Sequence, residues 1–130
     1  MIKFIVILLG ISVLAGVAFY GYYGGFIKPG ISIITSGGET LIYEKIVGDY
    51  KQSGAIMDKI YYSLLNEDRI VTYKGFGIYY DNPQKVAADK LRSEAGCILE
   101  EKDLAKLPEL EKKYAIRTFP RTNYLVTEFP

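Results

Sequence analysis

Tyr79, Tyr80 and Asp81 put two aromatic rings directly before a carboxylate. Aromatic walls around one negative charge can hold a cationic or amphipathic ligand, so these three residues are the candidate ligand-binding set. The same run also has a plainer reading. Alternate residues of a strand point to opposite faces, so only one tyrosine can line a given face, and Asp81-Asn82-Pro83 is turn chemistry. Asp89, Lys90, Arg92 and Glu94 alternate in sign and read as a solvated loop with local ion pairs rather than acid-base machinery. The chain has no His and one Cys, Cys97. That composition excludes Ser-His-Asp and Cys-His catalytic sets, the common zinc sites and any intrachain disulfide. Cys97 sits in the apolar run AGCIL and reads as a small buried residue. No catalytic residue, metal or cofactor is expected.

The elements that must position these groups begin with a membrane-type segment. Residues 4–23, FIVILLGISVLAGVAFYGYY, carry no charge and are long enough for a helix across roughly 30 Å of hydrocarbon. Phe19, Tyr20, Tyr22, Tyr23 and Phe26 crowd the C-terminal end, where amphipathic rings favour the headgroup layer. Residues 1–28 are therefore expected to be a transmembrane anchor; the alternative is a signal peptide cleaved after Gly16-Val17-Ala18. Ser12 and Gly16 have small-xxx-small spacing, which one pair alone does not make a dimer motif. Lys3 and Lys28 flank the run one to a side, so orientation is barely encoded. Setting those two aside from the 16 Lys+Arg leaves 14 against all 15 Asp+Glu. A nearly neutral remainder without a basic stripe makes nucleic acid an unsuitable partner.

Residues 29–38, rich in Gly and Ser, read as a juxtamembrane linker, with a domain over 39–130. Within it, residues 40–50 predict a strand. Ser53 is the expected cap of a helix whose buried stripe is Ile56, Met57, Ile60, Tyr61, Leu64 and Leu65. Residues 69–81 predict a second strand, with Gly75 and Gly77 marking a bulge or close approach, and residues 92–101 a third. A short helix from about Pro108 follows, then two strands, AIRTFP and NYLVTEFP, joined by Arg121-Thr122. The order is α+β: a βαββ unit and the opening of another.

The stretch GIYYDNPQKVAADKLRSEAGCIL, residues 77–99, resembles the motif region of the GyrI-like (gyrase-inhibitor-like) small-molecule-binding superfamily. There a strand ending in Tyr-Tyr-Asp-x-Pro leads, through Leu-Arg and a Gly, into the next strand. Asp89-Lys90, Gly96 with Ile98-Leu99-Glu100, and Phe119-Pro120 followed by Val126-Thr127 and Phe129-Pro130 extend the likeness. With its apolar N-terminus, the chain is similar to the membrane-anchored reticulophagy-receptor members of that superfamily. The resemblance implies a non-enzymatic, single-pass binding module on the endoplasmic reticulum with a cytosolic domain. A bacterial membrane-tethered or exported domain that binds small hydrophobic or cationic compounds is the alternative. The resemblance also implies two βαββ units, the second completed by a further helix and two strands that carry the pocket Glu, so Glu128 is not given that role. The chain is accordingly expected to be a fragment or short form, or to be completed by a protein partner or a second copy. Expected partners are thus the membrane, a sheet-completing protein and a small molecule. Tyr43–Ile46 and Tyr62–Leu65 match the loose aromatic-x-x-aliphatic pattern that autophagy modifiers bind, but both fall in expected regular structure.

Overall fold

The structure is a computed structural model that describes residues 1–128. It is α+β, with an apolar N-terminal helix and two sheets, and its described residues divide into two compact units, residues 1–36 with 123–128 and residues 37–122.

In the first unit, helix α1 (Ile2–Tyr22) is apolar on every side and has no buried residue. Its 21 residues span about 32 Å, enough to cross a membrane. The helix stops where Gly24 takes φ +78°, a left-handed conformation that glycine adopts without strain. The Gly24 N–H then donates to Gly21 O at 3.1 Å and the Gly25 N–H to Tyr20 O at 2.9 Å. This is the Schellman pattern, which satisfies carbonyls that a helix end would otherwise leave free. Strand β1 (Ile31–Ser36) lies within the segment expected as a linker, and it pairs with the last strand of the chain, β6 (Thr122–Thr127), as a two-stranded ribbon. Ile31-Ser-Ile-Ile-Thr is β-branched enough to form a strand; the Gly and Pro around it gave it the composition of a linker. Phe129 and Pro130 of the sequence pattern lie outside the described residues.

The second unit holds β2 (Thr40–Val47), α2 (Gln52–Asn66), β3 (Gly75–Tyr79), β4 (Arg92–Leu99), α3 (Leu107–Leu110) and β5 (Ala115–Thr118). The β2-α2-β3-β4 order is the expected βαββ. The strands form one antiparallel sheet in the order β3-β4-β2-β5. Register fixes the faces: Ile42 stands opposite Cys97 and Ile116, and Cys97 opposite Gly75. On that face Ile42, Cys97 and Leu99 pack with Ile60 and Leu64 of α2, with Ile70, and with Leu110 of α3. The expected helical stripe is thus the one turned to the core, although Ile56, Met57, Tyr61 and Leu65 reach only partial burial.

Several expected boundaries shift. The helix cap is Lys51, and Ser53 sits inside the first turn, its hydroxyl donating to Tyr50 O at 2.7 Å. The expected strand over 69–81 is regular only from Gly75, because Arg69 at φ +55° turns the chain out of α2 and Ile70 drops into the core. The two C-terminal strands do not pair with each other: β5 adds to β2, and β6 goes to β1. Gly96 answers to a close approach. A Cβ there would meet Ile42 O and come 2.8 Å from Tyr43 Cα.

Candidate functional site

Residues that alternate with the core set point to the other face of the second unit's sheet. They include Leu41, Tyr43, Lys45 and Val47 of β2, Phe76 and Ile78 of β3, Glu94 and Ile98 of β4 and Arg117 of β5. Both α2 and α3 pack on the opposite side. Glu94 stands in register with Lys45 and Ile78, yet it is only 5% exposed. A buried carboxylate demands a partner, and Arg117 reaches across β2 to supply it, its Nη2 2.5 Å from Glu94 Oε2. The same guanidinium lies 5.1 Å from the centroid of the Tyr43 ring and donates to the Tyr80 hydroxyl at 3.3 Å. The Tyr80 hydroxyl, followed by the Glu94 charge, holds the Arg117 pKa above its ordinary value, against the opposing effect of burial.

The Glu94–Arg117 contact is an ion pair without hydrogen-bond geometry. Glu94 Oε2, Arg117 Nε and the neighbouring Ser93 Oγ are all buried and lack hydrogen bonds. Ser93 and Glu94 line a cavity of about 250 Å³ together with Lys45, Val47, Tyr80 and Arg92. Val47 is 72% exposed and Tyr80 50%. On this face the arrangement joins the Arg117-paired carboxylate of Glu94 to an aliphatic wall, Val47, and an aromatic one, Tyr80, while the Ser93 side chain, in register with Ile46 and Tyr79, points to the helix side. That is the chemistry of a site for a small molecule with an apolar body and a donor group, at the small end of ligand cavities.

The sequence-derived set Tyr79, Tyr80 and Asp81 is divided among three places. Tyr80 lines this face. Tyr79 turns to the helix side, where its hydroxyl hydrogen-bonds Ser53 Oγ at 3.0 Å and its ring stacks edge-on with Tyr50 at 4.7 Å. Asp81 is consumed by structure. Its carboxylate accepts from the Arg92 backbone N–H (2.8 Å), Nε (3.0 Å) and Nη2 (2.8 Å). Those Arg92 contacts hold its carboxyl below the usual carboxylate range. The Tyr50 hydroxyl donates to Asp81 O at 2.7 Å and accepts from its N–H at 2.8 Å, which pins the turn. Glu94 is a correction to the expected solvated cluster: Asp89, Lys90 and Arg92 are exposed, but the alternation of β4 carries Glu94 inward beneath Arg117. Tyr43 and Arg117 were not singled out for this site, and the missing signal was register. Nothing in the spacing of Tyr43, Glu94 and Arg117 shows that β5 pairs with β2.

Cys97 is buried, as expected, and burial followed by the Asp58 charge pushes its thiol up to about 11. Tyr43–Ile46 is paired along its length with β4, and at Tyr43 also with β5, and Tyr62–Leu65 lies in α2, so both are held in regular structure. A larger cleft of about 670 Å³ between Glu39, Lys74, Glu100 and Arg121 carries both signs of charge. Among the described residues no three His, Cys, Asp or Glu side chains converge as metal ligands. Comparison with protein-family profiles, with curated proteins and with solved structures finds no match.

Proposed function

We propose that the chain is a non-enzymatic, single-pass membrane-anchored binding module of the GyrI-like type, with the Glu94–Arg117–Tyr80 face as its ligand surface. The observation that carries the ligand site is the Glu94 carboxylate, 5% exposed, lining one cavity with Val47 and Tyr80. A ligand ammonium or amide would meet the Glu94 carboxylate while its body lies along Val47 and Tyr80. One feature supports a non-enzymatic role: the carboxylate is already paired with Arg117. The length and apolarity of α1 support the anchor.

The compartment follows from resemblance. An apolar N-terminal helix before a domain with YYDNP and GCIL resembles testis-expressed protein 264, the reticulophagy receptor of the endoplasmic reticulum, and suggests a cytosolic domain there. A bacterial inner-membrane or exported protein would use the same site for small hydrophobic or cationic compounds. Two experiments test the proposal. Thermal shift of the full chain in detergent against amphipathic amines should show stabilisation that Glu94→Gln abolishes, and a panel without any shift would remove the ligand role. Protease added to intact microsomes should digest a C-terminal tag; protection of the tag would overturn the cytosolic orientation.

A further inference from the structure

We infer that the β1–β6 ribbon lies on the bilayer that holds α1, with Ile31, Ile33 and Leu125 set into the boundary between headgroups and acyl chains. The inference rests on the reading of α1 as a retained span. Thr35 Oγ1 donates to Asn123 Oδ1 at 2.7 Å, so these two side chains share one face of the ribbon. Side chains alternate along a strand, and the same face therefore carries Ile31, Ile33 and Leu125. They are 71%, 72% and 72% exposed. A two-stranded ribbon is marginal alone in water and gains stability when an apolar face is covered.

The covalent path identifies what covers it. Helix α1 ends at Tyr22 and β1 begins at Ile31. Residues 23–30 reach at most about 28 Å when fully extended, and the Gly24 turn shortens that. The tether keeps the headgroup layer at high effective concentration next to β1, whereas a second copy would have to be recruited. The tether is itself interfacial in character: Tyr23, Phe26 and Ile27 are exposed, with Lys28 beside them. The rim of the apolar face, Thr35, Asn123 and Thr127, is polar and uncharged, and it can sit among headgroups without burying a charge.

The chain contains no Trp, so single tryptophans report on one place at a time. Leu9→Trp, Ile33→Trp, Leu125→Trp and Tyr73→Trp variants of the full chain are reconstituted into phosphatidylcholine vesicles with lipids brominated at shallow or deep acyl positions. Leu9→Trp reports the span and Tyr73→Trp, 84% exposed in the second unit, reports solvent. The expected result is blue-shifted emission and strong quenching by shallow bromines for Ile33→Trp and Leu125→Trp, with neither for Tyr73→Trp. Two ribbon positions keep the test alive if one variant fails to fold. If Leu9→Trp is quenched and both ribbon positions behave like Tyr73→Trp, the inference is overturned and the anchor stands. An unquenched Leu9→Trp removes the anchor, and the inference with it. A blue shift that ignores bromine but grows with protein-to-lipid ratio assigns the face to a second copy and also overturns it.

Discussion

Replacing Arg117 with Met keeps most of the side-chain bulk and removes the charge that answers Glu94. Breaking a buried ion pair from one side costs about 3–5 kcal/mol, because the remaining charge is left unpaired in the interior. The Glu94 side chain is 7% exposed, but Arg117 is 35% exposed, so water reaches part of the vacated space. That lowers the expected cost to about 2–3 kcal/mol. Glu94→Gln should cost only about 1 kcal/mol, since the guanidinium keeps the Tyr80 hydroxyl and the Tyr43 ring. The double variant should then be less destabilised than the sum of the two by about 1–2 kcal/mol, the coupling of one local pair. In a domain of this size the Arg117→Met change lowers Tm by about 10–15 °C. The assay is urea or thermal unfolding of the full chain in detergent, followed by tyrosine near-UV circular dichroism. Lys59→Met is the control, because the Lys59–Glu44 pair at 2.7 Å is 65% and 38% exposed and should be worth less than about 1 kcal/mol. If Arg117→Met costs no more than Lys59→Met, or the two changes at Glu94 and Arg117 simply add, the reasoning about a coupled buried pair is refuted.

Asp81 has its folded pKa lowered below 3.8 by Arg92, so its contribution is present above that value and is lost as pH falls through the folded pKa. Acid unfolding of wild type against Asp81→Asn should show a constant advantage down to about pH 5 that vanishes only below the ordinary carboxylate range; an advantage lost near neutrality would contradict the clip. With Cys97 pushed up from 9.0 to about 11, a thiol probe at pH 8 should meet about a hundredfold less thiolate than an unburied cysteine offers, and react fast only after urea is added. Gly96→Ala should cost about 3 kcal/mol or more in the same unfolding assay, because the added methyl meets the β2 backbone. Expression at wild-type stability would mean that the two strands can part locally.

What the sequence shows of this fold is the part carried by local periodicity. The apolar run of α1, the Ile56-Ile60-Leu64 stripe and the apolar centre of β4 each announce an element, because burial repeats at that element's own period. Tyr80 was legible as a candidate from local composition, two aromatic rings directly before a carboxylate. Glu94 was not, since a carboxylate between Ser93 and Ala95 looks solvated until the sheet has an Arg117 to place over it. The partner arrives through β2, with Leu41 opposite Ile98 on one side and Arg117 on the other. Such pairings join residues tens of positions apart, and no window of sequence contains them. The same limit hid β1, whose partner β6 is the last strand of the chain.

The Asp81–Arg92 clip separates what lies inside it from what lies outside. Both ends of the segment 82–91 are fastened at the sheet, by the Asp81 carboxylate and by the Tyr80 N–H donating to Arg92 O at 3.0 Å. Between them the side chains are mostly exposed, apart from Leu91 and a half-buried Val86. The segment can therefore grow without changing strand register. Doubling its length adds only about 0.6 kcal/mol of closure entropy, so an epitope inserted between Gln84 and Lys85 should leave the neighbouring sheet as it is.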